Sequence, residues 1–158
     1  MEITRTSDAL SSEFVVKAPL EKAWAALTTK DGWEAWFSDR VNSDFQVGSP
    51  LVMYFDGYGE QTGTVVERDE HRSFAYQWHP GEGDWSERPD AEKTTVRFTI
   101  EPVDSGTKIT MVESGFSRVL EARRPKAFED NTGGWSYMMK QIVRWLEDDV
   151  RQSGSIKE

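Results

Sequence analysis

A chain of 158 residues with no cysteine and a formal charge of −9 has the length of one domain and no means of forming disulfides or thiolate metal sites. The acidic balance argues against a nucleic-acid partner, whose phosphates need clustered lysine and arginine. No apolar run reaches membrane-spanning length and the first residues lack the apolar core of a signal peptide, so a cytoplasmic protein without membrane insertion is expected. Seven tryptophans are the unusual feature, and such residues belong to cores, interfaces and ligand pockets.

No repeat or proline-rich linker divides the sequence, so residues 12–151 read as a single domain, with frayed ends at 1–11 and 152–158. EFVV (13–16) reads as a strand. Pro19 then opens a helix whose Leu20, Ala23, Trp24 and Leu27 share one face. Lys30-Asp31-Gly32 reads as a break, followed by a short helix from Trp33 to Phe37. Five runs rich in β-formers come next: LVMYF (51–55), TGTVVER (62–68), SFAYQWH (73–79), TTVRFTIE (94–101) and TKITMVE (107–113). Turn signals separate them, so an antiparallel meander is expected. Alternation puts Phe74, Tyr76 and Trp78 on one side with Val96, Phe98 and Ile100, and leaves Ser73, Gln77, Arg97 and Thr99 on the other.

Arg123, Arg124 and Lys126 read as a solvated loop. Residues 131–150, NTGGWSYMMKQIVRWLEDDV, read as one long helix. Trp135, Met138, Met139, Ile142, Val143, Trp145, Leu146 and Val150 fill a wide apolar arc opposite Lys140, Arg144, Glu147 and Asp148. Asn131 suits an N-cap, and Gly133 and Gly134 suit a close backbone approach. The expected architecture is α+β, a curved antiparallel sheet wrapped around a C-terminal helix.

That order of elements resembles the helix-grip fold of the START-like (SRPBCC) superfamily. VVKAPLEKAWAALTT followed by WEAWF is similar to its opening strand and helix pair, GTVVERDEHRSFAYQW to its central hairpin, TTVRFTIEPVDSGTKITMVESGF to its last hairpin, and NTGGW to the start of its final helix. The branch most resembled is that of the heat-shock protein 90 ATPase activator C-terminal domain. The resemblance implies a cavity between sheet and long helix, used across the superfamily for apolar molecules, and implies little about chemistry.

Catalytic motifs are absent. His71 falls in a turn and His79 at a strand end, neither with a second histidine at ligand spacing, so no metal is expected and no cofactor is called for. Glu82, Asp84, Glu87, Asp90 and Glu92 read as a solvated loop around Trp85, which would tuck back as a flap over a pocket mouth. Counting by twos from Ile109 and Met111 turns Glu113 inward, whereas its place at a strand end favours a wet carboxylate.

Unbranched thioethers and large rings suit an adaptable pocket better than a tightly specified core. The candidate ligand site is therefore Tyr76, Trp78, Phe98, Met111, Glu113, Trp135, Met138, Met139 and Ile142. The leading expectation is binding of a small hydrophobic or aromatic molecule. The alternatives are a protein-interaction module whose partner is a chaperone or client, and a cyclase- or hydrolase-type enzyme using Glu113 or His79.

Overall fold

The computed structural model describes residues 2–81 and 88–156, with side chains through Asp148. Eight strands form one antiparallel sheet: β1 (Thr4–Arg5), β2 (Ala9–Val16), β3 (Arg40–Asn42), β4 (Pro50–Phe55), β5 (Gly59–Asp69), β6 (Ser73–Trp78), β7 (Thr94–Val103) and β8 (Gly106–Ser114). Their spatial order is β1-β2-β8-β7-β6-β5-β4-β3. Helices α1 (Leu20–Thr28) and α2 (Lys30–Trp36) follow β2, and α3 (Arg124–Ile156) closes the chain. This is the α+β helix-grip architecture expected from the sequence.

Strand alternation holds apart from Ala75, which is buried between Phe74 and Tyr76. Phe74, Tyr76, Trp78, Val96, Phe98 and Ile100 are buried, while Ser73, Gln77, Arg97 and Thr99 are not. Two short strands, β1 and β3, had no signal in the sequence. Thr4 and Arg5 pair with Ser11 and Leu10, so the sheet begins well inside the stretch expected to fray.

Residues 30–32 do not break the helical hairpin but form the first turn of α2. Thr29 caps it, its hydroxyl accepting from Gly32 N at 3.0 Å. A Cβ at Gly32 would lie 2.3 Å from the Ala25 carbonyl oxygen, so glycine here lets α2 abut α1 directly. Two indoles complete the junction: Trp33 Nε1 donates to Leu27 O and Trp36 Nε1 to Ala26 O, each at 2.7 Å. These carbonyls lie in the last turn of α1, where no helical partner exists, so the tryptophans satisfy them while burying their own N–H groups.

Helix α3 starts seven residues before the expected position. Asn131 is therefore not an N-cap but lies inside the helix. Pro125 occupies the first turn, where its missing N–H costs nothing. Phe128 stacks on Phe116 with ring centroids 4.1 Å apart, and the Arg5 guanidinium sits 4.0 Å from the Phe128 ring centre. Arg123 and Arg124 belong to this junction rather than to a solvated loop. Arg123 pairs with Glu92 at 2.6 Å, and Arg124 donates to the carbonyls of Ser117 and Val119. Glu92 itself is buried and accepts from Leu120 N at 2.8 Å, in place of the solvated role expected of it. From there Trp135, Met139, Ile142 and Leu146 bury the inner face of α3, with Met138, Val143 and Trp145 packed beside them.

Candidate functional site

The Trp33 and Trp36 rings, driven inward by α2, occupy much of the space beneath the sheet. Trp33 lies 5.5 Å from Tyr76 and Trp36 lies 5.8 Å from Phe98, centroid to centroid. Tyr76, Phe98, Met111, Met139 and Ile142 are in consequence fully buried, and none of them lines the open cleft of the protein. The cleft lies to one side, bounded by the end of α2, the β4–β5 hairpin and the first half of α3. Its volume is about 610 Å³, within the range of small-molecule sites.

Of the nine candidate residues, Trp78, Trp135 and Met138 line this cleft. Phe37, Trp78 and Trp135 form its floor as a triangle with centroids 5.8 to 6.0 Å apart, extended by Phe55 at 5.7 Å from Phe37. Gly134 lines it from α3, and a Cβ there would meet no atom within 4 Å. No close backbone contact therefore requires glycine here. Gly133 is equally free of neighbours, and nothing in the structure explains it. Tyr58 and Tyr137, 71% and 59% exposed, are large rings left at the rim.

Directly behind the floor lies Glu113. It is fully buried, not wet as its strand-end position suggested. Its carboxylate accepts from Trp78 Nε1 at 2.8 Å, Trp135 Nε1 at 2.8 Å, Thr94 Oγ1 at 2.5 Å and Asn131 Nδ2 at 2.8 and 3.0 Å. The Asn131 amide orientation follows from its other end, where Oδ1 accepts from Gly81 N at 2.9 Å. Indole N–H groups can only donate, so the set suits an acceptor-only carboxylate. Glu113 thereby ties a strand end, the neighbouring strands and α3 together through three residues that line the cleft. Tyr76 is close by. Burial pushes its phenol well above the usual range, the Glu113 charge adds to the effect, and its hydroxyl has no partner among the described residues.

The charged groups lining the cleft are of one sign among the described residues. Glu34, Asp39, Asp56 and Asp130 line it, and no lysine, arginine or histidine among the described residues does. Glu34 is bonded by Lys30, which with the Val41 N–H holds its carboxyl below the usual range, and Asp130 pairs with Lys126. Asp39 Oδ2 accepts from Asp56 N at 2.5 Å. Gln61, 6% exposed, donates from Nε2 to His79 O at 2.7 Å, and no described residue donates to its Oε1. His79 is tied by Nε2 to Pro89 O at 2.8 Å and does not line the cleft. The proposed flap residue Trp85 and the acids Glu82, Asp84 and Glu87 lie outside the described residues. Among those described, no group of three or more potential metal ligands exists, and no helix is long and apolar enough to cross a membrane.

A single antiparallel sheet gripping a long C-terminal helix, with two short helices after the first long strand and an open cleft between them, defines a START-like helix-grip protein. Residues 17–147 match the family profile of Activator of Hsp90 ATPase homolog 1-like proteins, and the chain belongs to that family. No curated protein matches it. A Mesorhizobium loti protein of known structure is similar at 22% identity, with a TM-score of 0.72 over 86% of this chain and 94% of that one. The Aha1 dimer from Colwellia psychrerythraea is similar at 20% identity, TM-score 0.70, over 88% and 96%. A protein from Arthrobacter aurescens gives 15% identity and a TM-score of 0.73 over 92% and 90%. Identities this low concern the fold alone.

Proposed function

We propose that the protein binds a small, largely apolar or aromatic molecule in the cleft between α2, the β4–β5 hairpin and α3. The observation that carries the reading is the 610 Å³ opening floored by Phe37, Trp78 and Trp135 and left clear by Gly134. A helix interior that carries glycine in place of alanine forgoes about 1 kcal/mol. At Gly134 the return is volume next to three aromatic rings. N-phenyl-1-naphthylamine, a neutral aromatic probe, tests the reading by fluorescence titration. Saturable one-to-one binding is expected with Kd on the order of 100 µM or tighter, which about 0.3 kcal/mol per non-hydrogen atom gives for a probe of this size. A signal that rises linearly without saturating would count against the cleft.

A second reading, docking of a protein partner, is favoured by Tyr58 and Tyr137. Exposed tyrosines beside a cleft supply rigid contact area of the kind that anchors interfaces. The family includes proteins described as activators of a chaperone ATPase, and this chain's counterpart partner would be such a chaperone. Concentration-dependent co-sedimentation with a heat-shock protein 90, abolished by Tyr58→Ser with Tyr137→Ser, supports docking. Co-sedimentation unchanged in that double variant rejects it. The acid-base alternative has weaker support, because neither Glu113 nor His79 borders the cleft.

A further inference from the structure

Resting on the cleft as the binding site, we infer that its ligand is an organic cation, an ammonium group carried on an apolar or aromatic body. Glu113 is the first reason. It is fully buried, every group that bonds it is neutral, and no described lysine, arginine or histidine pairs with it. A buried carboxylate without a counter-ion is costly unless charge of opposite sign comes near. Trp78, Asn131 and Trp135 stand between it and the cleft, so a cation placed there approaches it through one layer of side chains.

The indoles themselves are the second reason. Both donate their N–H to the same carboxylate at 2.8 Å. Rings so bonded gain electron density, and electron-rich rings attract cations. Gln61 supplies the third. It is nine-tenths buried on the cleft wall, one Nε2 hydrogen goes to His79 O, and no described residue donates to its Oε1, an acceptor able to face a cation. Asp39 and Asp56 extend the same preference outward, since neither has an ion-pair partner among the described residues. An anionic ligand such as a fatty acid would meet carboxylates, two of them already paired with lysines, and no lysine, arginine or histidine among the described lining residues, which sets this cleft apart from a site built for carboxylate-headed lipids.

The test compares two ligands of one shape. Benzyltrimethylammonium and its carbon isostere, 2,2-dimethylpropylbenzene, differ by a single charge and are titrated calorimetrically into the wild-type chain. The cation is expected to bind at least fivefold tighter, with the preference shrinking as salt is raised. In Glu113→Gln, once a native melting transition is confirmed, the cation-to-neutral ratio is expected to fall towards one. Should that chain not fold, Asp39→Asn with Asp56→Asn is expected to lower the ratio in the same direction. Equal binding of the two ligands, or tighter binding of the neutral one, overturns the cation assignment and leaves the apolar cleft standing. So does failure of both ligands while N-phenyl-1-naphthylamine still saturates. If that probe also fails, the cleft reading falls and takes this one with it. Cation affinity left unchanged in a Gly134→Leu chain would locate the cation elsewhere and overturn the assignment too.

Discussion

Replacing Gly134 by leucine separates a cleft from a core more cleanly than any substitution of the large side chains. The position is exposed, inside α3, and a Cβ placed on it meets no atom within 4 Å. A leucine there clashes with nothing and removes the helix penalty of glycine, a gain of about 0.5–1 kcal/mol. For a chain of this length that corresponds to a melting temperature about 1–4 °C higher. Gly134 lines the cleft floored by Phe37, Trp78 and Trp135, so a leucine there is expected to take up cleft volume and probe affinity to fall at least tenfold, about 1.4 kcal/mol. Gly134→Ala is the control: it shares the gain in helix propensity but adds one methyl group, and should keep most of the binding. Differential scanning fluorimetry and probe titration on the three chains give the result. A lowered melting temperature in Gly134→Leu would show that Gly134 faces packed atoms. Unchanged probe binding with raised stability would show that the probe binds somewhere else.

Three further expectations follow from the geometry. Glu113→Ala leaves two indole N–H groups, one hydroxyl and one amide without their acceptor, at about 1–3 kcal/mol for each group that stays unsatisfied, and should lower stability by about 3 kcal/mol or more, read as a lower urea midpoint at unchanged slope. Met139→Trp overpacks a fully buried site and should cost about 1–3 kcal/mol, whereas Met138→Trp faces the cleft and should leave the melting temperature nearly unchanged while weakening probe binding. Glu92 accepts from Leu120 N and pairs with Arg123, which hold its carboxyl below the ordinary value of 4.5. A depressed folded-state value stabilises above the unfolded one and is lost as pH falls through it. Glu92→Gln should therefore melt lower than wild type at pH 7, and the gap should close as the pH drops below 4.5; a gap constant from pH 7 to pH 3 would refute the linkage.

Much of the fold was legible because period reports environment directly. Phe74, Tyr76 and Trp78 alternate, and so do Val96, Phe98 and Ile100, since a sheet with one covered face turns every second side chain away from that cover. Helix α3 announced itself by its apolar arc, but its first turn did not. The signals were present: Pro125 near the start, and Phe128 seven residues before Trp135 on the same stripe that continues to Met139, Ile142 and Leu146. Asn131 and the paired glycines outweighed them, because both types are commoner at helix ends than inside. Strands β1 and β3 are two and three residues long, too short for any alternation to register.

The site was harder to place because period gives the direction of a side chain and not the depth of what lies above it. Tyr76, Phe98, Met111, Met139 and Ile142 do point inward, as expected, yet Trp33 and Trp36 have already filled the space they face. That filling depends on the close approach of α1 and α2 at Gly32, a contact between residues whose sequence read as a helix break. Glu113 shows the same limitation from the other side. Its direction was right and its exposure wrong, since the groups that bury it come from β6, β7 and α3, 18 to 35 residues away along the chain. The glycine pair carried the most information and the least unambiguous sign. A helical glycine marks either a neighbour too close for a side chain or a space that a side chain would fill, and only the atoms around Gly134 distinguish the two.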